Sequence, residues 1–538
     1  MPNYLKFNGK VIDEYSSDNY SRIEILDLGY EYAYQVVPVQ LSEEENLMLE
    51  DVMERLAYRI KPEDLLDGCK LERALEKWGL NGKIIYAVKC EVAGYSWLEP
   101  LMADEKLEDI QCFKAESQIK VTHSDYGLMQ TNIVPSSGEV DRIVKLLAYR
   151  GGSAVSIFRA KEDSVILPTG DRAALTFRSE ISPTSSFTIR KFPRDPWTPT
   201  KMINTGMITS DAMAFLWLCI DAKLPVMIFG PMASGKTSLA NSLAMLIRHD
   251  SSIALCQDAP EMKIPHENIL NLFERRSRTA SSSGEVTLED LLTHALRRSV
   301  DYVTVNEVRG RREVYTFAQA VALGHGGITS IHAESVEAVF ARLKGYGVEE
   351  SLAENIRILV ETGLFIGEFN GKRVRLRRVK GIYFQFNLKN YRPKYNVIFK
   401  YNSVEDRLEF NENNNYALKF IADKLYLDHA SLNEDLNFRS KFLDYAAEAK
   451  IFSVNELFNM LKKFRRDPIK TIENLKSMFT SKPSVERRIL ILADSSEIKY
   501  CPRCGFQLTP KLTVCPRCGF KLYSKLEAEI GELNSNLR

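Results

Sequence analysis

The sequence predicts an α/β protein with a mainly parallel sheet at its centre, preceded by α+β segments and followed by a helical region and a small cysteine-rich module. Three observations carry this. Between residues 210 and 331, short apolar runs alternate with helical segments, the pattern of a parallel sheet covered on both faces. A glycine-rich loop, GPMASGKT (230–237), sits between one such run and one such helix. Upstream of 200 and downstream of 405 the alternation is absent. A chain of 538 residues is too long for one core and divides into about three to four domains.

Residues 1–110 read as an N-terminal α+β domain. EYAYQVVPVQ (31–40) is strand-like, and LSEEENLMLEDVMERLAYRI (41–60) has Ser42 as a cap, acids in its first turn and apolar Leu47, Leu49, Val52, Met53 and Leu56. That is an amphipathic helix with a capping signature. Residues 111–192 read as a second α+β domain, whose helix VDRIVKLLAYRGG stops at Gly151 and Gly152. FPRDPWTPT (192–200), rich in proline, reads as a linker over 193–200. In the domain 201–404, helices are predicted at 210–222, 235–248, 288–298 and 311–323. Strands are predicted at 225–229, 253–257, 301–306 and 327–331. Residues 405–490 read as mostly helical, and 495–525 as a small closing module.

Composition narrows the function. Hydrophobic content of 45% and charged content of 27% are those of folded protein. Lys plus Arg (72) nearly balance Asp plus Glu (71), which argues against nucleic acid as the main partner. The polar start MPNYLKFNGKVIDEYSSDNY lacks the apolar core of a signal peptide. The most apolar stretch, 212–230, is broken by Asp221, Lys223 and Pro225, short of the ~20 apolar residues of a membrane span. The chain is expected to stay inside the cell and span nothing, with docking on a membrane protein left open. Cys69, Cys90, Cys112, Cys219 and Cys256 are scattered, as suits buried thiols in a reducing compartment.

Gly230, Gly235, Lys236 and Thr237 have the spacing G-x-x-x-x-G-K-[ST]. PVMIF (225–229) is a strand without charge, and GKTSLANSLAMLIR (235–248) opens a helix, so the loop stands where its physics requires. Glycines let the backbone wrap phosphates, and the helix N-terminus offers free N–H groups. Gly230, Ser234, Gly235, Lys236, Thr237 and Ser238 are therefore the expected nucleotide contacts, with Lys236 on the β- and γ-phosphates and Thr237 on magnesium. This marks the central domain as a RecA-like P-loop ATPase core.

Such a core needs a carboxylate at the end of a neighbouring strand. YVTVNE (302–307) ends on Asn306 and Glu307. Glu307 is the candidate to orient the attacking water or hold a magnesium-bound water, the other reading being a helix N-terminal carboxylate. CQDAPE (256–261) brings Gln257, Asp258 and Glu261 to the same edge of the sheet. GHGGITSIHAES (324–335) puts His332 at a strand end, where a lone histidine is either functional or structural.

Together GPMASGKT, CQDAPE, VNEVRG and GHGGITSIHA resemble the secretion and pilus-assembly ATPases of the type II/type IV superfamily, over roughly residues 20–410. TGDRAAL (169–175), SSFTIRKFPRDPWTP (185–199) and EYAYQVVPVQLSEEE look like its archaeal branch, which assembles type IV pili and the archaellum. The resemblance implies a homohexameric ring with ATP bound between the domains of a subunit and at its neighbour. It implies a cytoplasmic motor on the inner face of the membrane, acting on a polytopic platform protein and, through it, on pilin-like subunits. By position, Glu261 falls in the family's Asp box, Glu307 and Arg309 in its Walker B box, and His332 in its His box. Arg172 and Arg190 match arginines that reach the nucleotide; the alternative for both is a surface ion pair. Two residues depart from the family. Gln257 stands where Glu is usual and can orient a water but not accept its proton, and Asn306 stands where Gly is common. Both leave a slow or partner-dependent ATPase open.

CPRCGFQLTPKLTVCPRCGF (501–520) sets Cys501, Cys504, Cys515 and Cys518 as two C-x2-C pairs, with Gly505 and Gly519 in the turns. Four thiolates at this spacing predict a structural zinc ribbon, with disulfides disfavoured inside a cell. KRVRLRRVKG (372–381) predicts a strand with one charged face, solvated or at a subunit interface rather than on nucleic acid. Two other readings are carried: a DNA-transport ATPase of a conjugation-like apparatus, and a nucleotide-gated scaffold with little hydrolysis.

Overall fold

A computed structural model describes residues 2–59, 68–178, 181–192, 194–275, 284–369, 372–411 and 415–480. The cysteine module at 495–525, with Cys501, Cys504, Cys515 and Cys518, lies outside the described residues. The chain forms two compact units, Met1–Arg194 and Asp195–Arg538.

The first unit is built on one nine-stranded sheet. Its strands are β2 (Lys10–Ser16), β3 (Arg22–Asp27), β4 (Tyr32–Val37), β5 (Leu107–Cys112), β6 (Lys120–His123), β7 (Gly127–Thr131), β9 (Lys161–Ile166), β10 (Arg172–Thr176) and β11 (Ser186–Arg190). The short β1 (Asn3–Tyr4) and β8 (Ile133–Val134) pair separately. The order is β2-β3-β4-β7-β6-β5-β11-β10-β9, antiparallel except where β4 meets β7. The expected boundary near residue 110 falls inside β5, in the middle of this sheet; the stretches 1–110 and 111–192 share it. Helices α1 (Glu43–Arg59), α2 (Gly68–Glu76) and α3 (Gly82–Val92) build a satellite core on Val52, Leu56, Leu71 and Val88. After the short α4 (Glu99–Ala103), α5 (Ser137–Arg150) opens on the Ser136–Glu139 capping box and ends at Gly151. It lays Val140, Ile143, Val144 and Leu147 on the sheet.

A buried polar group lies inside this unit. His123 is fully buried, and its Nδ1 accepts from the N–H of Asp125 at 3.0 Å. Its Nε2 therefore carries the proton and faces Tyr15 Oη at 3.2 Å. Tyr15 and Tyr34 both donate to Asp104 Oδ2, at 2.8 and 2.6 Å. Burial holds the His123 pKa below the usual histidine range, against the pull of Asp125 and Asp104 and with the push of Lys106. The unfolded imidazole, at about 6.5, takes a proton more readily than the folded one. This group's contribution is thus complete above that pH and is lost as pH falls, at up to ~1.4 kcal/mol per unit. Thermal melts between pH 7.5 and 5 should show the wild type losing more stability than His123→Gln; parallel curves would refute the assignment.

The second unit carries the predicted parallel core. Its helices and strands in order are α6 (Pro199–Asn204), α7 (Ser210–Asp221), β12 (Val226–Phe229), α8 (Lys236–Met245), β13 (Ile253–Gln257), β14 (Ile269–Phe273), α9 (Leu288–Leu296), β15 (Tyr302–Val305), α10 (Arg311–Ala322), β16 (Gly326–Ile331), α11 (Val336–Gly345), α12 (Glu350–Ala353) and β17 (Ile358–Phe369). β14-β13-β15-β16-β12-β17 are parallel neighbours. Two apolar layers cover the sheet, one around Phe215, Trp217, Leu239 and Phe384, the other around Phe229, Leu292, Phe317 and Phe340.

Beyond β17 the sheet continues antiparallel through β18 (Lys372–Lys389), β19 (Arg392–Asn402) and β20 (Arg407–Phe410). Asn390 (φ +52°) and Tyr391 (φ +57°) make the two-residue turn between β18 and β19, a pair of left-handed residues that suits the strand twist. The helical region accordingly starts at 415, not 405. It comprises α13 (Asn415–Leu425), α14 (His429–Glu448), α15 (Val454–Arg466) and α16 (Pro468–Thr480). These helices share the apolar layer of α7 through Phe442, Leu457 and Phe464. Among the described residues, no helix is long and apolar enough to cross a membrane.

Candidate functional site

The loop after β12 is shaped by close approach. Gly230 has φ +151°, and a Cβ there would stand 2.3 Å from the carbonyl oxygen of Thr362 on β17. Only glycine fits beneath the loop at that point. Gly235, at φ +88°, opens α8, so the first N–H groups of the helix stay unpaired within it. Ala233 also takes a left-handed conformation, φ +58°. Ser234 is fully buried. Its Oγ donates to Pro231 O at 2.8 Å and lies 2.8 Å from Thr362 Oγ1, so this hydroxyl braces the loop. Thr237 and Ser238 stand half-buried in the first turn of α8.

Lys236 is buried, and Nζ donates to Gly230 O at 3.2 Å and Pro231 O at 2.8 Å. It lies 3.2 Å from His332 Nδ1. Burial lowers its pKa, the Glu307 carboxylate pulls the other way and Arg309 adds to the lowering. His332, just after β16, passes the contact on: its Nε2 is 2.8 Å from Glu307 Oε1. Glu307 Oε2 accepts from Arg309 Nη2 at 2.6 Å and Nε at 2.9 Å. Arg309 Nη1 reaches Asp258 Oδ2 at 2.9 Å, and Asp258 Oδ1 accepts from Asn306 Nδ2 at 2.6 Å. Burial opposes the Arg309 charge, but Asp258, Glu307 and Glu261 outweigh it and raise its pKa. Side chains from the ends of β13, β15 and β16 thus join the lysine of the loop in one path along the sheet edge. Asp258, placed by the sequence at the sheet edge without a role, and Asn306, noted there as a departure from the family, are links in it.

Gln257 is placed differently from its expected role. It is fully buried, its Oε1 accepts from Met262 N at 2.7 Å, and its Nε2 donates to Met262 O at 3.3 Å and Asn271 Oδ1 at 3.2 Å. The amide staples the 258–262 loop to β13 and β14, and both of its ends are engaged in doing so. Glu261 sits in that loop, near enough to Arg309 to act on its charge. In the first unit, Arg172 on β10 and Arg190 on β11 are directly opposed in register. Like charges so placed repel unless an anion offsets them; Asp109, 3.4 Å from Arg190, does so in part.

The residues fit magnesium and a nucleotide triphosphate. A glycine-shaped cradle and a helix N-terminus meet a lysine, and Thr237 adds a hydroxyl. At the end of β15, Asn306 Oδ1 is buried without a hydrogen-bond partner. Asp258 holds the other end of that amide, so Oδ1 is an acceptor fixed in place for a donated proton. For a further metal, no group of three or more His, Cys, Asp or Glu comes together among the described residues.

Residues 101–362 match the family model described as type II/IV secretion system protein. An uncharacterised protein of Methanocaldococcus jannaschii is 30% identical over 391 residues, which cover 71% of this chain and 69% of that protein. Type IV secretion system protein VirB11 of Brucella suis is 36% identical over 135 residues, 25% of this chain and 37% of that protein. The crystal structure of the VirB11 ATPase from the Brucella suis type IV secretion system in complex with sulphate aligns with 53% of this chain and 96% of its own, at 24% identity and a TM-score of 0.27.

Proposed function

The chain belongs to the type II/IV secretion system protein family and is an ATPase of it, and on that premise we propose that it is a cytoplasmic motor for a type IV pilus-like filament. The observation that carries this is the contact path Lys236–His332–Glu307–Arg309–Asp258, which ties the phosphate loop to the carboxylates of two neighbouring strands. In this reading Gly230, Gly235, Lys236, Thr237 and Ser238 hold the phosphates, and Ser234 contributes through its backbone. Lys236 exchanges neutral carbonyls for charged phosphate oxygens, which are stronger acceptors. Glu307 takes a proton from the attacking water as its oxygen bonds the γ-phosphorus and the bond to the β-phosphate oxygen breaks. His332 and Arg309 orient that carboxylate, and Asp258 and Glu261 hold Arg309. Magnesium, when bound, neutralises phosphate charge; Thr237 would hold it directly, with Asn306 Oδ1 accepting from one of its waters.

The motor works as a homohexamer docked on the inner face of the membrane against a polytopic platform protein, and handles pilin-like subunits through it. Cys501, Cys504, Cys515 and Cys518 hold one zinc, which the metal content of the purified chain tests. A second reading is a DNA-transport ATPase of a conjugation-like apparatus; the balance of 72 basic and 71 acidic residues opposes it. In cells carrying Lys236→Ala, electron microscopy should find surface filaments missing. Filaments that persist while DNA transfer fails would decide for the second reading.

A further inference from the structure

The strand expected to carry a charged face, solvated or at a subunit interface, touches the phosphate loop through one of its arginines. Arg377 lies on β18, opposite Leu364 of β17. Its Nε donates to the carbonyl of Ala233 at 2.9 Å, and its Cδ lies 3.5 Å from where a Cβ on Gly235 would stand. The sheet order β15-β16-β12-β17-β18 puts Arg377 on one flank of the loop, and His332 and Glu307 on the other. From the Arg377 flank, β17 adds a second point of attachment, Thr362 Oγ1 to Ser234 Oγ at 2.8 Å.

The peptide between Ala233 and Ser234 is planar and trans, so its C=O and N–H point in opposite directions. A carbonyl turned to Arg377 leaves the Ser234 N–H turned to the other flank, where the Lys236 ammonium, His332 and Glu307 gather. Ala233 is left-handed, φ +58°, a conformation that costs a residue with a side chain about 1–2 kcal/mol, and the guanidinium contact on its carbonyl opposes rotation of the peptide.

We propose that Arg377 is a positioning residue for the nucleotide: it holds the Ala233–Ser234 peptide so that the Ser234 N–H faces the phosphates. This rests on reading the loop as the phosphate site. The experiment uses the full chain, with ADP and magnesium titrated by calorimetry and steady-state ATP turnover. Arg377→Met keeps the stem beside Gly235 and removes every donor. Loss of one charge-assisted hydrogen bond is expected to raise the ADP Kd and the KM for ATP roughly tenfold. At saturation kcat should stay within about twofold, because the loop serves ground and transition states alike. Arg377→Lys, which still donates to one carbonyl, should recover most of the affinity. An unchanged Kd in Arg377→Met, or a fall in kcat with KM unchanged, overturns the proposal. Wild type that binds no ADP overturns the phosphate-loop reading, and the proposal with it.

Discussion

Replacing Glu307 with Gln is expected to lower steady-state phosphate release by at least ~10²-fold, the scale of one positioned general base, while ADP binding stays within about threefold, ~0.7 kcal/mol. The side chain keeps its volume and loses only its charge and proton affinity. Lys236 retains the carbonyls of Gly230 and Pro231, so the loop keeps its shape. Arg309 retains Asp258, so the strand ends stay joined. What goes is the carboxylate that Arg309 grips by Oε2, whose Oε1 lies buried 2.8 Å from His332 Nε2 without a hydrogen bond of its own. Turnover in Glu307→Gln equal to wild type would sink the base assignment. Wild type that binds ATP tightly and releases no phosphate would instead favour the nucleotide-gated scaffold.

The scaffold reading rested on Gln257 and Asn306, and the two residues separate in the structure. A glutamate at 257 would put a buried carboxylate against the Met262 carbonyl, which now accepts from the amide. Gln257 is thus explained by the fold of the 258–262 loop, and its identity says little about turnover. The sequence names a residue at a strand end but not which way that end faces, and this is why a water-orienting role was expected there. Much of the parallel core was legible for a plain reason: β12, β13, β15 and β16 are uncharged runs, α7, α9 and α11 carry Thr or Ser caps, and glycine marks the loop after β12. The antiparallel extension was not. Its turn uses Asn390 and Tyr391 without glycine, and the charges at 375–378 read as one charged face, solvated or at a subunit interface. Arg377 and Arg378 in fact point into structure on opposite sides, Arg378 buried against Asp406 at 2.8 Å. The nine-stranded sheet of the first unit hinges on β4 meeting β7 in parallel, Ala33 opposite Gln130, a pairing distant in sequence that no local pattern announces. The four boxes name candidate residues, but the path joining them exists only once β13, β15 and β16 lie side by side.

The largest stability effect is expected at Asp221, the last residue of α7. Its carboxylate accepts from Arg439 Nη1 at 2.6 Å and from Arg465 Nη2 at 2.8 Å and Nη1 at 3.0 Å. All three side chains are largely buried, Asp221 at 8% exposure. The two guanidinium groups lie over Trp217, 4.6 and 5.3 Å from its ring. One carboxylate of the ATPase core therefore holds α14 and α15 in place. An arginine does not shed its proton when its partner is removed. Asp221→Ala leaves two cations in an apolar layer, one sharing Asp435 and the other reduced to the Leu246 carbonyl. Breaking a buried pair from one side costs ~3–5 kcal/mol, and the doubled partner points to the upper end. Thermal melts should show a drop of many degrees, and limited proteolysis should cut first within 415–480, where docking has been lost. The triple change Asp221→Leu, Arg439→Met, Arg465→Met removes all three charges at once and should regain most of the loss. If Asp221→Ala melts with the wild type, the carboxylate is dispensable and apolar contacts alone dock these helices. If the triple variant is no better than the single, the layer depends on the shape of the ion cluster rather than on charge balance.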